Sequence, residues 1–97
     1  MNELLNCYQL AVRIANDTSI LVDPHEKTLA RHAIPHLKDA LTEAYLIPPT
    51  VTGKPGDDIT GLTNRLLALF PTLAADDLTR TTAQHVNQAI LTLTQVN

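Results

Sequence analysis

The sequence predicts an all-α protein, an antiparallel up-and-down four-helix bundle in a single domain, residues 1–97. Three observations carry that prediction. Apolar residues recur at helical spacing in four separate stretches. Only three glycines occur, and Gly53 and Gly56 share one loop, so little interrupts those stretches. The core candidates are Leu, Ala, Val and Ile, with Tyr8, Tyr45 and Phe70 the only aromatics, and aliphatic side chains fill helical cores without demanding polar partners. At 97 residues the chain is too short to divide into two domains that each bury a core.

The first helix is expected over about 2–17, with Leu4, Leu5, Tyr8, Ala11, Val12 and Ala15 on one side. Leu10 and Ile14 lie off that stripe beside Cys7, and a helix apolar over so wide an arc packs between neighbours or offers a second stripe to a partner. The second helix, 24–45, has a clear start in Asp23-Pro24-x-Glu26: an N-cap acceptor, a proline preset for the first turn, and a glutamate three residues on from the cap. Its inward face is Leu29, Ala30, Ala33, Ile34, Leu37, Leu41 and Ala44, while Pro35 falls on the polar side, where a kink convex to solvent is tolerated.

The run Pro48-Pro49-Thr50-Val51-Thr52-Gly53-Lys54-Pro55-Gly56 cannot hold a helix and reads as a surface loop. Asp57 or Asp58 then caps a third helix, 58–70, burying Ile59, Leu62, Leu66, Leu69 and Phe70. It is expected to stop at Phe70-Pro71, because the residue before a proline is pushed out of the helical region. Asp76 and Asp77 open a last helix, 76–96, with Leu78, Val86, Ala89, Ile90, Leu93 and Val96 inward.

Composition bounds the function. A net charge of -3 argues against nucleic acid as main partner, since phosphate binding needs a basic face. Cys7 is the only cysteine, so no intrachain disulfide forms and a reducing cytosol fits. Met1-Asn2-Glu3 does not begin a signal peptide, and no apolar run approaches the roughly 20 residues that span a bilayer. A cytoplasmic protein is expected.

No catalytic constellation emerges, and no enzyme activity or cofactor is expected. His32 and His36 are spaced i, i+4 with His25, Asp39 and Glu43 in the same arc, but an exposed strip of this kind is more often solvated surface than a metal site. Gly53-x-x-Gly56 with Lys54 lacks the strand and the Lys-Ser/Thr ending of a phosphate loop. Ser19, the only serine, has no suggested His and carboxylate partners, and Cys7 on an apolar face reads as a small core residue.

The last helix is different. From Thr81 to Asn97 there is no Lys, Arg, Asp or Glu. Its outer face, counted from Arg80, is Arg80, Gln84, Asn87, Gln88, Leu91 and Gln95, with Thr81, Thr92 and Thr94 beside it. Solvated helix faces normally carry charge, whereas interfaces are depleted in Lys and Glu, so these six residues are the candidate partner-binding surface.

The layout resembles the immunity proteins of pediocin-like (class IIa) bacteriocins from lactic acid bacteria. The residues that carry the resemblance are Leu4-Leu5 and Tyr8, Asn16-Asp17 leading through Ile20 to the second helix, the Pro-rich loop, Leu62-x-x-x-Leu66-Leu67, and the final amphipathic helix. It implies a cytoplasmic bundle, peripheral at the inner face of the membrane, that protects the producing cell. The implied partner is the membrane permease of the mannose phosphotransferase system with bacteriocin bound to it. The family's C-terminal half is associated with the choice of bacteriocin, which points to the third helix and the outer face of the fourth. The alternative is a small helical regulatory or antitoxin-like module that binds a soluble protein.

Overall fold

A computed structural model describes residues 2–18 and 23–95, so Ser19, Ile20 and Val96 lie outside the described residues. Four helices pack together: α1 (Asn2–Asn16), α2 (Pro24–Glu43), α3 (Ile59–Ala74) and α4 (Arg80–Leu93), with a 3₁₀ turn at Asp77–Thr79. No strand occurs among the described residues. The fold is the expected all-α four-helix bundle.

The starts of α2 and α3 are explained by their own sequence. Asp23 Oδ1 accepts from the backbone N–H of His25 at 2.9 Å, with Pro24 in the first turn of α2. Asp58, of the two candidates, caps α3 by accepting from Gly61 N–H at 2.9 Å. Asp57 instead accepts from Asp58 N–H, and its carboxylate lies where a β-carbon on residue 61 would stand, which is why glycine fits there.

The helix ends differ from the sequence prediction in three places. The helical turns of α2 stop at Glu43 rather than Tyr45, because Tyr45 adopts φ +60 and reverses the chain. Leu46 N–H donates to Leu41 C=O at 2.8 Å and Tyr45 N–H to Thr42 C=O at 3.0 Å, a Schellman closure that draws Leu46 against the core.

The next difference is in α3, which continues past Phe70 through Pro71 to Ala74. Proline loses one hydrogen bond but leaves its own carbonyl free, and Pro71 C=O accepts from Ala75 N–H at 3.1 Å. The added turn buries Leu73, whose carbonyl accepts the Thr79 hydroxyl at 2.6 Å. Burial there outweighs the local bias against helix before proline.

Finally, the 3₁₀ turn precedes α4, so the helix begins at Arg80 rather than Asp76. Three residues per turn instead of 3.6 shift the phase, and Leu78, assigned inward from the sequence, is 92% exposed.

The packing order is α1–α2–α4–α3 around the bundle, each helix against two neighbours. Glu3 near the start of α1 pairs with Arg65 of α3 at 3.6 Å, while Arg13 near the end of α1 donates to Thr52 C=O just ahead of α3. Those helices are therefore antiparallel. Glu43 at the end of α2 lies 4.0 Å from His85 early in α4, so that pair is antiparallel too. With the tight α3–α4 turn, every packed pair in the ring is antiparallel.

In this arrangement α2 and α3 sit diagonally and run the same way, so the helix directions are up-down-down-up rather than the up-and-down order expected from the sequence, and connection 44–58 travels the length of the bundle between them. It is held on the way by Arg13 at Thr52 and by Leu46 and Val51 against the core. Gly53, at φ +101, makes the turn next to that anchor, a conformation glycine adopts at little cost.

The core is one cluster. Leu10 and Ile14 are buried with Leu4, Tyr8 and Ala11, so α1 is enclosed on both stripes, packed between α2 and α3, rather than offering a second stripe to solvent. Alanines recur on the buried faces of α2 and α4, which pack against each other: Ala30, Ala33 and Ala40 on one, Ala83 and Ala89 on the other. Small side chains there let two backbones approach closely. Leu5, Val12, Ile34, Ala44, Leu69 and Phe70, all assigned to apolar inward faces, are only partly covered.

Candidate partner-binding surface

Five of the six residues singled out for α4 are exposed. Arg80, Gln84, Gln88, Leu91 and Gln95 are exposed, Asn87 is half-buried, and Gln95 lies just beyond the end of the helix. The opposite side of the same helix carries Val86, Ala89, Ile90 and Leu93 into the core. The hydrophobic stripe thus fixes the rotation of α4, and rotation alone decides what faces out.

The chemistry of this face is more apolar than its composition implies. Thr92 Oγ1 donates to Gln88 C=O at 2.9 Å and Thr94 Oγ1 to Ile90 C=O at 2.9 Å. Those hydroxyls are bonded to carbonyls of their own helix rather than offered to a partner, and Leu91 beside them is 52% exposed. The one ionic group, Arg80, is paired with Asp77 at the base of the helix. What remains is a strip of side-chain amides with Leu91 among them, able to donate and accept hydrogen bonds but carrying no unpaired charge along its length.

The other candidates fall elsewhere. His25, His32 and Asp39 are exposed and His36 half-buried along the solvent side of α2. Among the described residues no group of three His, Cys, Asp or Glu side chains is arranged to hold a metal ion.

Cys7 is fully buried in α1, and its thiol donates a long hydrogen bond to Glu3 Oε1 at 3.7 Å. Burial, with the neighbouring Glu3 charge adding to it, pushes the thiol pKa up to about 12 from an ordinary 9.0. The folded protein therefore holds a proton that the unfolded chain releases. The resulting stabilisation is complete below pH 9 and declines as pH rises towards 12. Wild type should lose more melting temperature than Cys7→Ala between about pH 8 and about pH 10.5; parallel curves would refute the assignment.

Two clefts went unnoticed in the sequence because each joins residues distant in the chain. One, of about 220 Å³, lies between α1 and the start of α3, lined by Asn6, Gln9, Leu10, Arg13, Gly56, Asp57 and Arg65. Its two arginines are already engaged, Arg13 with Thr52 and Arg65 with Glu3. The second, of about 390 Å³, lies between the end of α2 and the start of α4. Glu43, Ala44, Tyr45, Leu78, Thr79, Thr81 and Thr82 line it. Tyr45 is 96% exposed and Leu78 nearly as much, large apolar side chains in water at one end of the bundle.

Comparison with protein-family models, with curated proteins and with solved structures finds no match to this chain.

Proposed function

We propose that this protein acts by binding, as an immunity protein of the pediocin-like type, with the outer face of α4 as its contact surface. The partner in this reading is the mannose phosphotransferase permease carrying bound bacteriocin, met from the cytoplasmic side. The observation that carries it is the exposed strip of α4, uncharged from Thr81 onward, on a helix whose other side is locked into the core. Such a strip suits contact with another protein, where desolvating Lys or Glu would cost more than desolvating amides and an aliphatic side chain. None of the described helices is long and apolar enough to cross a membrane, so action at the membrane would proceed through a partner. The resemblance in helix layout supplies the identity of that partner.

The test is expression in a strain sensitive to class IIa bacteriocins, followed by challenge with a panel of them. Survival against at least one is expected. Substituting Arg80, Gln84, Asn87 and Leu91 together by Ala should remove that protection while leaving helicity and melting nearly unchanged, since none of the four is buried. If cells making the wild-type protein die as readily as controls, the immunity reading is lost. A soluble protein co-purifying without permease would then support the regulatory or antitoxin-like module.

A further inference from the structure

A second surface, apart from the α4 strip, stands out at the end of the bundle where α2 stops and α4 starts. Tyr45 occupies the one described non-glycine position with positive φ, at +60. That place in a Schellman closure is normally filled by Gly or Asn, because a β-carbon there is strained. Strain is usually offset by packing, yet the Tyr45 side chain is 96% exposed. The free protein gains nothing visible from a tyrosine at this position.

Across the cleft, Leu78 is presented outward by a turn fastened at three points. Asp76 Oδ1 accepts from Leu78 N–H at 2.9 Å, Thr79 Oγ1 donates to Leu73 C=O at 2.6 Å, and Asp77 pairs with Arg80. A strained backbone on one wall and a braced turn on the other thus hold two large apolar side chains in water. Thr82, almost wholly buried, lies between them in the cleft wall.

The charge around the cleft selects the occupant. Glu43, 4.0 Å from His85, is on its wall, and Asp76 and Asp77 directly precede Leu78, against Arg80, which Asp77 already engages. A second copy meeting this end symmetrically would set these carboxylates against their own counterparts. An anionic lipid surface would be repelled in the same way. We propose that this cleft binds a basic amphipathic helix of another protein, its apolar side chains entering between Tyr45 and Leu78 and its Lys or Arg residues facing Glu43 and Asp76. Helix-in-groove recognition uses this combination of apolar anchors and flanking charge.

The test uses the full chain and a fluorescein-labelled synthetic peptide of about four helical turns, with Leu on one face and Lys on the other. A control peptide carries Glu in place of every Lys. Fluorescence anisotropy at moderate salt should show saturable binding of the Leu/Lys peptide, with the Leu/Glu peptide at least about tenfold weaker. Leu78→Ser and Tyr45→Gly should each weaken binding by about tenfold or more. Tyr45→Gly should at the same time raise the melting temperature, which guards against misreading an unfolded variant. Leu91→Ser, on the α4 strip, should bind the peptide as wild type does, so failure here and failure of the immunity reading are separable. Binding indifferent to Leu78→Ser and Tyr45→Gly, no saturable binding, or a wild-type dimer that Leu78→Ser dissolves would each overturn the proposal.

Discussion

Leu66→Ala and Leu37→Ala are each expected to destabilise the protein by about 2–5 kcal/mol, the range for truncating a leucine enclosed in a core. Both side chains are fully buried, Leu37 midway along α2 and Leu66 midway along α3. They belong to helices on opposite corners of the ring, so each cavity would open inside the cluster rather than at a frayed end. Loss of transfer free energy is then joined by loss of contacts that neighbours cannot restore by moving inward. Against a total stability of roughly 5–15 kcal/mol for a domain of this kind, either change is severe. Urea unfolding followed by circular dichroism measures it, and a midpoint within error of wild type would show that these residues are not enclosed. Leu67→Ala, one residue along from Leu66 and half exposed, is the matched control and should change little.

The reverse change is expected to be harmful between α2 and α4. Ala89 is fully buried on α4, a helix whose neighbours in the ring are α2 and α3, and Ala30, Ala33 and Ala40 are fully buried on α2. Ala89→Leu must place three further carbon atoms where the helices are close, forcing off-rotamer side chains or separating the backbones, at a cost of about 1–3 kcal/mol. Ala68→Leu, on the exposed side of α3, adds the same volume to solvent and should be nearly neutral. If Ala89→Leu melts with wild type, the alanines do not mark a close approach.

How much was legible in the sequence varies with the kind of signal. The starts of α2 and α3 could be read because a cap is a local interaction: Asp23 and Asp58 act on N–H groups within three residues of themselves. The inward faces of α1 and α4 were legible because helical periodicity is also local, and Leu10 and Ile14 flagged a helix packed between neighbours by widening the arc. The α4 strip follows from the same wheel. Reading failed where a long-range contact outweighed a local preference. Pro71 looked like a stop until the burial of Leu73 and the Thr79 bond favoured another turn. Leu78 looked like core because the wheel assumed 3.6 residues per turn across a segment that winds as 3₁₀. Tyr45 looked like the last residue of a helix, and no local rule marks a tyrosine for positive φ.

By itself, then, the sequence determined that this chain is four amphipathic helices with an aliphatic core, which side of each helix turns inward, and that the outer side of the last is free of charge. Those properties depend on residues within a few positions of one another. Tertiary structure alone decided the order in which the helices pack, because the ring places α2 diagonal to α3 and obliges the 44–58 connection to run the length of the bundle. It alone joined Tyr45 to Leu78 across a cleft. The physical reason is that closing contacts between distant segments depends on how whole faces fit together, and no window along the chain contains both sides of such a fit.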